Sequence, residues 1–378
     1  MTILYVNDSL AIWGGIERVL VDKMNYLADV YDYNVHIVTA DQGMHPIPYS
    51  LSSKVSFHDL GIQLYQKYKY NGIKRLQISW KLRRLYVSRL KDIISRIKPD
   101  VIACVRQSLL GSVLKAKCSV PIIFESHTSC YSYRYEVDSR LKRLRELYYV
   151  YQVRKVNMVV ALTEGDAYDW MRYNKNVVVI PNIVHLNDKG KYSDCLNKSV
   201  IYVGRFSKQK DIGSLLKVWT FVHQKYPDWQ LHIYGGYGDQ YEQLIPILKQ
   251  CVSSKIFVHD PTPFIFDKYI NNSMLLLTSL YEPFGLVIPE AMSCGLPVVS
   301  FDCPYGPASI LSDGENGFLI KDRDIIAYAD KVCVLIEDQF LRIKMGKAAM
   351  LDSQRYSAHT IMPQWVSLFE RIKREKEL

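Results

Sequence analysis

The chain has 378 residues, 48% of them hydrophobic, and a formal net charge of +10; that length allows two or three domains with sizeable cores. No run of residues reaches the ~18 apolar positions that a membrane span needs, and the opening Met1-Thr-Ile-Leu-Tyr-Val-Asn7 lacks the basic start of a secretory signal, so a cytoplasmic chain is expected. Eight cysteines, at 104, 118, 130, 195, 251, 294, 303 and 333, form no C-x-x-C pair and have no His partner at zinc spacing, so neither a metal cluster nor a disulfide framework is implied and they read as buried small apolar residues.

Short β-branched runs alternate with longer helical patterns, the signature of parallel α/β layers. In the first half, strands are expected at Thr2–Asn7, Asn34–Thr39, Asp100–Cys104, Val120–Glu125, Met158–Leu162 and Asn176–Ile180. The first strand leads into Trp13-Gly14-Gly15-Ile16-Glu17-Arg18, where glycines let the backbone approach a ligand at a helix start. From Lys67 to Lys98, eleven bases meet one acid, Asp92, among interleaved aromatic and aliphatic residues. A second cluster, Arg134–Lys155, has seven bases against three acids. Residues 1–185 hold 26 Lys and Arg against 16 Asp and Glu, whereas residues 186–378 hold 22 of each, so the whole excess sits in the first half.

A basic segment of this kind reads as a solvated face, a nucleic-acid surface, or a platform for anionic lipid and lipid-pyrophosphate acceptors. Its confinement to one half favours a surface-binding role, with Lys81, Arg83, Arg84 and Arg89 as the acceptor or membrane surface and the chain peripheral at the inner face of the cell membrane. Nucleic acid ranks last, because no binding module accompanies the charge.

Further along, His127 follows the fourth strand and Pro181-Asn182 the sixth. The polar stretch Asn187–Ser199 reads as a domain linker. A second set of strands is expected at Val200–Gly204, Gln230–Tyr234, Ile256–His259, Met274–Thr278, Pro297–Ser300 and Gly317–Ile320. After its first member comes Gly204-Arg205-Phe206-Ser207-Lys208-Gln209-Lys210; after its second, Gly235-Gly236-Tyr237-Gly238. Between the fourth and fifth lies Tyr281-Glu282-Pro-Phe284-Gly285-Leu286-Val-Ile-Pro-Glu290-Ala-Met-Ser-Cys-Gly295. Two carboxylates eight positions apart accept paired hydroxyl hydrogen bonds, and the amides of Phe284, Gly285 and Leu286, at the positive end of the following helix, suit a phosphate. The segment from Ser357 to Leu378 is amphipathic, with Ile361, Trp365, Leu368, Phe369 and Ile372 near helical spacing. No sequence repeat links the halves.

The Glu282–Glu290 segment and its flanks resemble the E-x7-E motif of retaining glycosyltransferases of family four, sugar-nucleotide-dependent enzymes with the GT-B fold. The resemblance implies two doubly wound Rossmann-like α/β domains facing across a cleft: an acceptor-side domain over 1–185, a nucleotide-sugar domain over 186–356, and a C-terminal helix over 357–378 packing back on the first. It also assigns roles. Trp13–Arg18 is similar to the family's G-G-x-E opening, and Gly204–Lys210 looks like its G-R-x-x-x-x-K segment. Glu282, His127, Arg205 and Lys210 become the catalytic group; Gly14, Gly15, Asn182, Gly204, Gly235, Phe284, Gly285, Leu286 and Glu290 bind the donor. The implied reaction moves a hexose or N-acetylhexosamine from a nucleotide-diphosphate sugar, a UDP-sugar foremost, to a glycan acceptor such as a lipid-linked oligosaccharide, with no cofactor and no metal. The chain departs from the family at Phe257–Pro263, where Asp260 stands in place of a usual glycine. Competing readings are a non-hydrolysing sugar-nucleotide epimerase or a phosphorylase of the same fold, and a non-catalytic protein that binds anionic glycolipid.

Overall fold

A computed structural model describes residues 1–135, 140–236, 238–250 and 254–377. The chain divides into two compact units, Met1–Ile183 with Ala358–Leu378, and Val184–Ser357.

The first unit is built on seven parallel strands: β1 (Thr2–Val6), β2 (Asn34–Thr39), β3 (Ser56–Asp59), β4 (Val101–Cys104), β5 (Ile122–Glu125), β6 (Met158–Ala161) and β7 (Val177–Val179), in the order β3-β2-β1-β4-β5-β6-β7. The central strands are apolar at almost every position because helices cover both faces of a parallel sheet, leaving no solvent side on which polar residues would alternate. β4, β5 and β6 are buried throughout. Sequence reading missed only β3, Ser-Phe-His-Asp, an edge strand whose alternate residues are exposed and whose polar composition carries no apolar run. The helix Ala358–Glu377 completes this unit: Ile361, Trp365, Leu368, Phe369 and Ile372 are all buried, and the Trp365 ring lies 3.8 Å from Lys23 Nζ on the helix Gly15–Asp29.

The second unit has six parallel strands, β8 (Ser199–Val203), β9 (Gln230–Tyr234), β10 (Ile256–His259), β11 (Leu275–Leu277), β12 (Val298–Phe301) and β13 (Gly317–Ile320), in the order β10-β9-β8-β11-β12-β13. This winding repeats that of the first six strands of the other unit, although the sequences share no repeat. The polar stretch Asn187–Ser199 is no free tether. Ser193 N–H donates to the Cys294 carbonyl at 2.8 Å and its hydroxyl to the Asn272 carbonyl at 2.5 Å, so the stretch is sewn into the second unit before β8 begins.

In each sheet the strand order reverses beside the first strand, between β1 and β4 and between β8 and β11. Neighbouring crossover helices there lie on opposite faces, opening a crevice at the strand carboxyl ends.

Candidate active site

At the reversal point of the second sheet, the loops leaving β8 and β11 are joined to each other. Thr278 Oγ donates to the Asp211 carbonyl at 3.1 Å, Gln209 Nε2 to the Tyr281 carbonyl at 3.0 Å, and Leu280 N–H to the Gln209 carbonyl at 2.7 Å. This joining places Lys210 against Glu282. The Lys210 ammonium donates to Glu282 Oε1, and Ser279 Oγ donates to the same oxygen at 2.6 Å. Glu282 is 4% exposed, so its carboxylate is held by an ammonium and a hydroxyl, as burial of a charge requires.

Arg323, in the turn after β13, fastens both loops. Its guanidinium donates to Asp211 Oδ2 at 2.5 Å and to the carbonyls of Thr278 and Ser279 at 3.1 and 2.8 Å. Arg323 touches neither Lys210 nor Glu282 directly; it positions the residues that carry them. Arg323→Ala is expected to lower kcat/KM for transfer about tenfold, with Arg323→Lys recovering part of the loss because only a planar fork reaches all three acceptors. Steady-state kinetics check this, and an unchanged kcat/KM would remove Arg323 from the site.

Beyond Glu282 the chain turns sharply. Tyr305 and Gly306 N–H groups donate to the Glu282 carbonyl at 2.8 and 2.9 Å, and a Cβ on Gly306 would lie 1.9 Å from the Phe284 carbonyl oxygen, so no side chain fits there. Gly285 adopts φ +92°, a conformation that favours glycine. Phe284 is buried edge-on against Tyr356, ring centroids 5.3 Å apart. Leu286 caps the helix Val287–Ser293, and Glu290, buried in that helix, accepts from Tyr269 Oη at 3.4 Å. Gly204 and Gly235 end β8 and β9 in close backbone contact: a Cβ on Gly235 would come within 2.4 Å of the Gly204 carbonyl oxygen. Arg205 is exposed beside them, and its guanidinium has no ion-pair partner among the described residues. Tyr237 of the same glycine-rich loop lies outside the described residues. Asp260 and Pro261 follow β10, and Pro261 Cγ would stand 2.9 Å from a Cβ on Gly236, so the proline packs against the glycine loop.

The first unit gathers a second set of polar groups at its own reversal point. Gly14 caps the helix Gly15–Asp29, and a Cβ there would meet Glu17 Oε2 at 2.3 Å. Arg106, just past β4, donates to Asn7 Oδ1 at 2.9 Å, pairs with Asp8 at 2.6 Å and bonds Glu17. Nearby, Lys23 and Glu125 form an ion pair with each side chain only 2% exposed. His127 Nε2 lies 3.3 Å from the same carboxylate, its ring equally enclosed. Burial alone would raise the Glu125 carboxyl, but the Lys23 ammonium and the His127 ring outweigh it and hold it below the usual carboxylate range. Burial pushes the His127 imidazole below its ordinary value, so it is neutral at pH 7. Facing an ionised carboxylate, Nε2 carries the proton and Nδ1 keeps the lone pair. Asn182 is buried beyond β7.

The sequence reading therefore names Glu282, Lys210 and His127 but not the groups that set them in place: Ser279, Arg323, Lys23 and Glu125. A signal existed for Arg323, since Asp322-Arg323-Asp324 is a charged cluster directly after an expected strand. It is also the chain's one Asp-x-Asp. Asp322 pairs with Arg323 at 2.7 Å, and Asp324 accepts from Ala327 N–H at the start of a helix. Among the described residues no group of three or more His, Cys, Asp or Glu is placed to hold a metal ion. Of the cysteines, Cys118 is exposed, contrary to the reading of all eight as buried: it sits in the tight turn before β5 with φ +54°. Cys251 lies outside the described residues.

The basic surface is less uniform than its composition. Lys81, Arg83 and Arg84 are exposed on the helix Gly72–Ile97, Arg84 stacked over Trp80 at 4.6 Å. Arg89 instead reaches back to donate to the Leu60 carbonyl, which ties the helix to its own unit. Part of the second cluster, including the side chains of Arg134, Arg140, Lys142 and Arg145, lies outside the described residues. No helix among the described residues is long and apolar enough to cross a membrane.

Two family models match the chain: "Glycosyltransferase Family 4" over residues 13–188 and "Glycosyl transferases group 1" over residues 193–352. An uncharacterized glycosyltransferase of Haemophilus influenzae is 26% identical over 360 residues, 93% of this chain and 95% of that protein. The amylovoran biosynthesis glycosyltransferase AmsD of Erwinia amylovora is 31% identical over 215 residues, 55% of this chain and 60% of its own length. Among solved structures, a point mutant of S. aureus TarM in complex with Fondaparinux, alpha-GlcNAc-glycerol and UDP superposes with a TM-score of 0.81 at 17% identity, covering 97% of this chain and 99% of that one. At that identity the likeness is one of fold.

Proposed function

The chain belongs to the group 1 glycosyl transferases of glycosyltransferase family four, and from that premise we propose that it moves a hexose or N-acetylhexosamine from a UDP-sugar to a lipid-linked glycan acceptor of capsule, O-antigen or lipopolysaccharide assembly, retaining the anomeric configuration. The observation that carries this reading is the buried Glu282 carboxylate, joined to Lys210 at the reversal point of the second sheet. The relative AmsD, named for polysaccharide biosynthesis, and the UDP in the TarM complex support the class of acceptor and donor.

In this reading the donor lies on the second unit. Gly204 and Gly235, bare of side chains, let the diphosphate approach the backbone. Arg205, free in solvent, and Lys210 neutralise it, assisted by the amides of Phe284, Gly285 and Leu286. Glu290 takes the ribose hydroxyls and Glu282 those of the sugar. The first unit carries polar groups of its own, the Gly14–Gly15 helix start, Asn182 and the His127 Nδ1 lone pair, of the kinds that bond phosphate and hydroxyl oxygens. The bond between the anomeric carbon and the diphosphate oxygen breaks while the acceptor hydroxyl oxygen bonds to that carbon from the same face. The acceptor proton passes to the departing phosphate oxygen, so no side-chain nucleophile forms a bond, and Lys210 and Arg205 stabilise the charge that grows on the leaving group.

The test is incubation of the full chain with a panel of nucleotide sugars in the presence of EDTA. Slow UDP release without acceptor, and a product of retained anomeric configuration with a glycan acceptor, are expected. Interconversion of the sugar nucleotide without release, or a requirement for divalent metal, would reject the reading.

A further inference from the structure

The helix Gly72–Ile97 is amphipathic in two senses along its length. Its second half buries Tyr86, Leu90, Ile93 and Ile94 in the core of the first unit. Its first half carries Ile73, Leu76 and Trp80 at helical spacing, yet these are 75%, 70% and 62% exposed. The helix Arg140–Val153 repeats the pattern, with Leu144, Leu147, Tyr148 and Tyr151 exposed along one stripe. Large apolar side chains left in water at the spacing of a packed face mark a surface that meets another phase or partner.

Between these two helices and the helix Gln107–Ala116 is a recess of about 440 Å³. Trp80 and Tyr148, members of the two exposed stripes, both line it. So do Arg83, Lys91 and Lys115, none of which has an ion-pair partner among the described residues. At its wall is Gln152, 4% exposed, whose Oε1 has no hydrogen-bond partner among the described residues. Gly111 leaves room for that amide: a Cβ there would lie 2.6 Å from it. A buried amide without a partner costs free energy unless a ligand satisfies it, and three unpaired cations around it select an anion that also offers a hydrogen-bond donor.

We propose that this face of the first unit docks on an anionic membrane leaflet, the recess taking the phosphate headgroup of a lipid while the Ile73–Leu76–Trp80 and Leu144–Leu147–Tyr148 stripes enter the headgroup boundary. Arg83, Lys91 and Lys115 meet the phosphate oxygens and Gln152 a headgroup hydroxyl. Aromatic and leucine side chains flanked by bases are the composition that holds a helix in the plane of an interface. A soluble anion would need the recess but not the exposed stripes; a neutral bilayer would need the stripes but not the cations. Only a phospholipid surface of net negative charge uses both. The docking face is independent of which sugar the second unit carries.

Flotation of the full chain with vesicles of phosphatidylcholine alone, and of an equimolar mixture with phosphatidylglycerol, tests it. Binding is expected only to the anionic vesicles, weakening with added salt. The double variant Arg83→Glu/Lys91→Glu should lose binding by roughly fivefold or more for each base reversed, and Leu76→Ser/Trp80→Ser should lose it at unchanged charge. None of these residues belongs to the proposed donor site, so UDP release and thermal midpoint serve as folding controls; a chain that binds no vesicle yet transfers sugar refutes this inference and leaves the transferase reading standing. Equal binding to both vesicle types, binding untouched by the reversals, or capture of free glycerol phosphate by a chain that ignores vesicles would each overturn the docking surface.

Discussion

Replacing Glu282 by Gln is expected to lower kcat for sugar transfer by about a hundredfold to a thousandfold, with a much smaller change in thermal midpoint. The substitution keeps the volume of the side chain and its backbone bonds to Tyr305 and Gly306. It removes the charge that Lys210 and Ser279 converge on. Lys210, released, can reach water, since its side chain is less enclosed than that of Glu282, so the buried-charge penalty that accompanies a broken ion pair is largely avoided. What is lost is the acceptor for sugar hydroxyls and the orientation of the Lys210 ammonium toward the diphosphate. Because that charge develops mainly as the bond breaks, kcat should fall more than KM rises. Steady-state kinetics decide it: a variant within threefold of the parent would remove Glu282 from the chemistry.

The largest loss of stability is expected from Lys23→Met. Lys23 lies between Glu125 and the Trp365 ring, with no route to solvent. Removing it strands the Glu125 carboxylate in the core of the first unit, at a cost of about 3–5 kcal/mol. The double variant Lys23→Met/Glu125→Leu should be less damaged than Lys23→Met alone, because neither charge is then buried unpaired. The pH dependence fixes the sign. In the parent, Glu125 titrates below its unfolded value of 4.5, so its contribution is present above that pH and is lost as pH falls through the folded value. His127, also depressed in the fold, gives stability that is lost as pH falls below its unfolded 6.5. Without Lys23, burial raises the Glu125 carboxyl instead. The deficit of the variant relative to the parent should therefore shrink as the pH is lowered and Glu125 takes up a proton. Denaturant midpoints measured across pH on the first unit's transition check this, and a deficit independent of pH would mean that Glu125 is not the stranded group.

The fold was legible because parallel strands buried on both faces write themselves as apolar runs. Among the described residues the fully buried β4, β5, β6, β11 and β12 stand out most clearly in this way, and the polar edge strand β3 does not. The candidate site was legible where one residue type at a fixed place in a loop carries the chemistry, as for Glu282, Lys210 and the glycines after β8 and β9. It was opaque where a role depends on long-range contact. Nothing local marks Lys23 as buried, because a lysine on an amphipathic helix is ordinarily a solvated one; only its meeting with Glu125, 102 positions later, makes it structural. Arg89 is equally silent: it is exposed surface charge, as its sequence suggests, yet it also donates to the Leu60 carbonyl. Composition records how many charges a helix carries and not which of them are free.

The first unit is discontinuous, closed by the helix Ala358–Glu377, whereas the second is a single uninterrupted stretch. During translation the half that emerges first is thus the last to be finished. Until Trp365 and Phe369 have left the ribosome, the nascent sheet of residues 1–183 covers Lys23 with the Tyr5 ring alone and lacks the Trp365 face, and the domain made later has every residue it needs while the earlier one is still waiting.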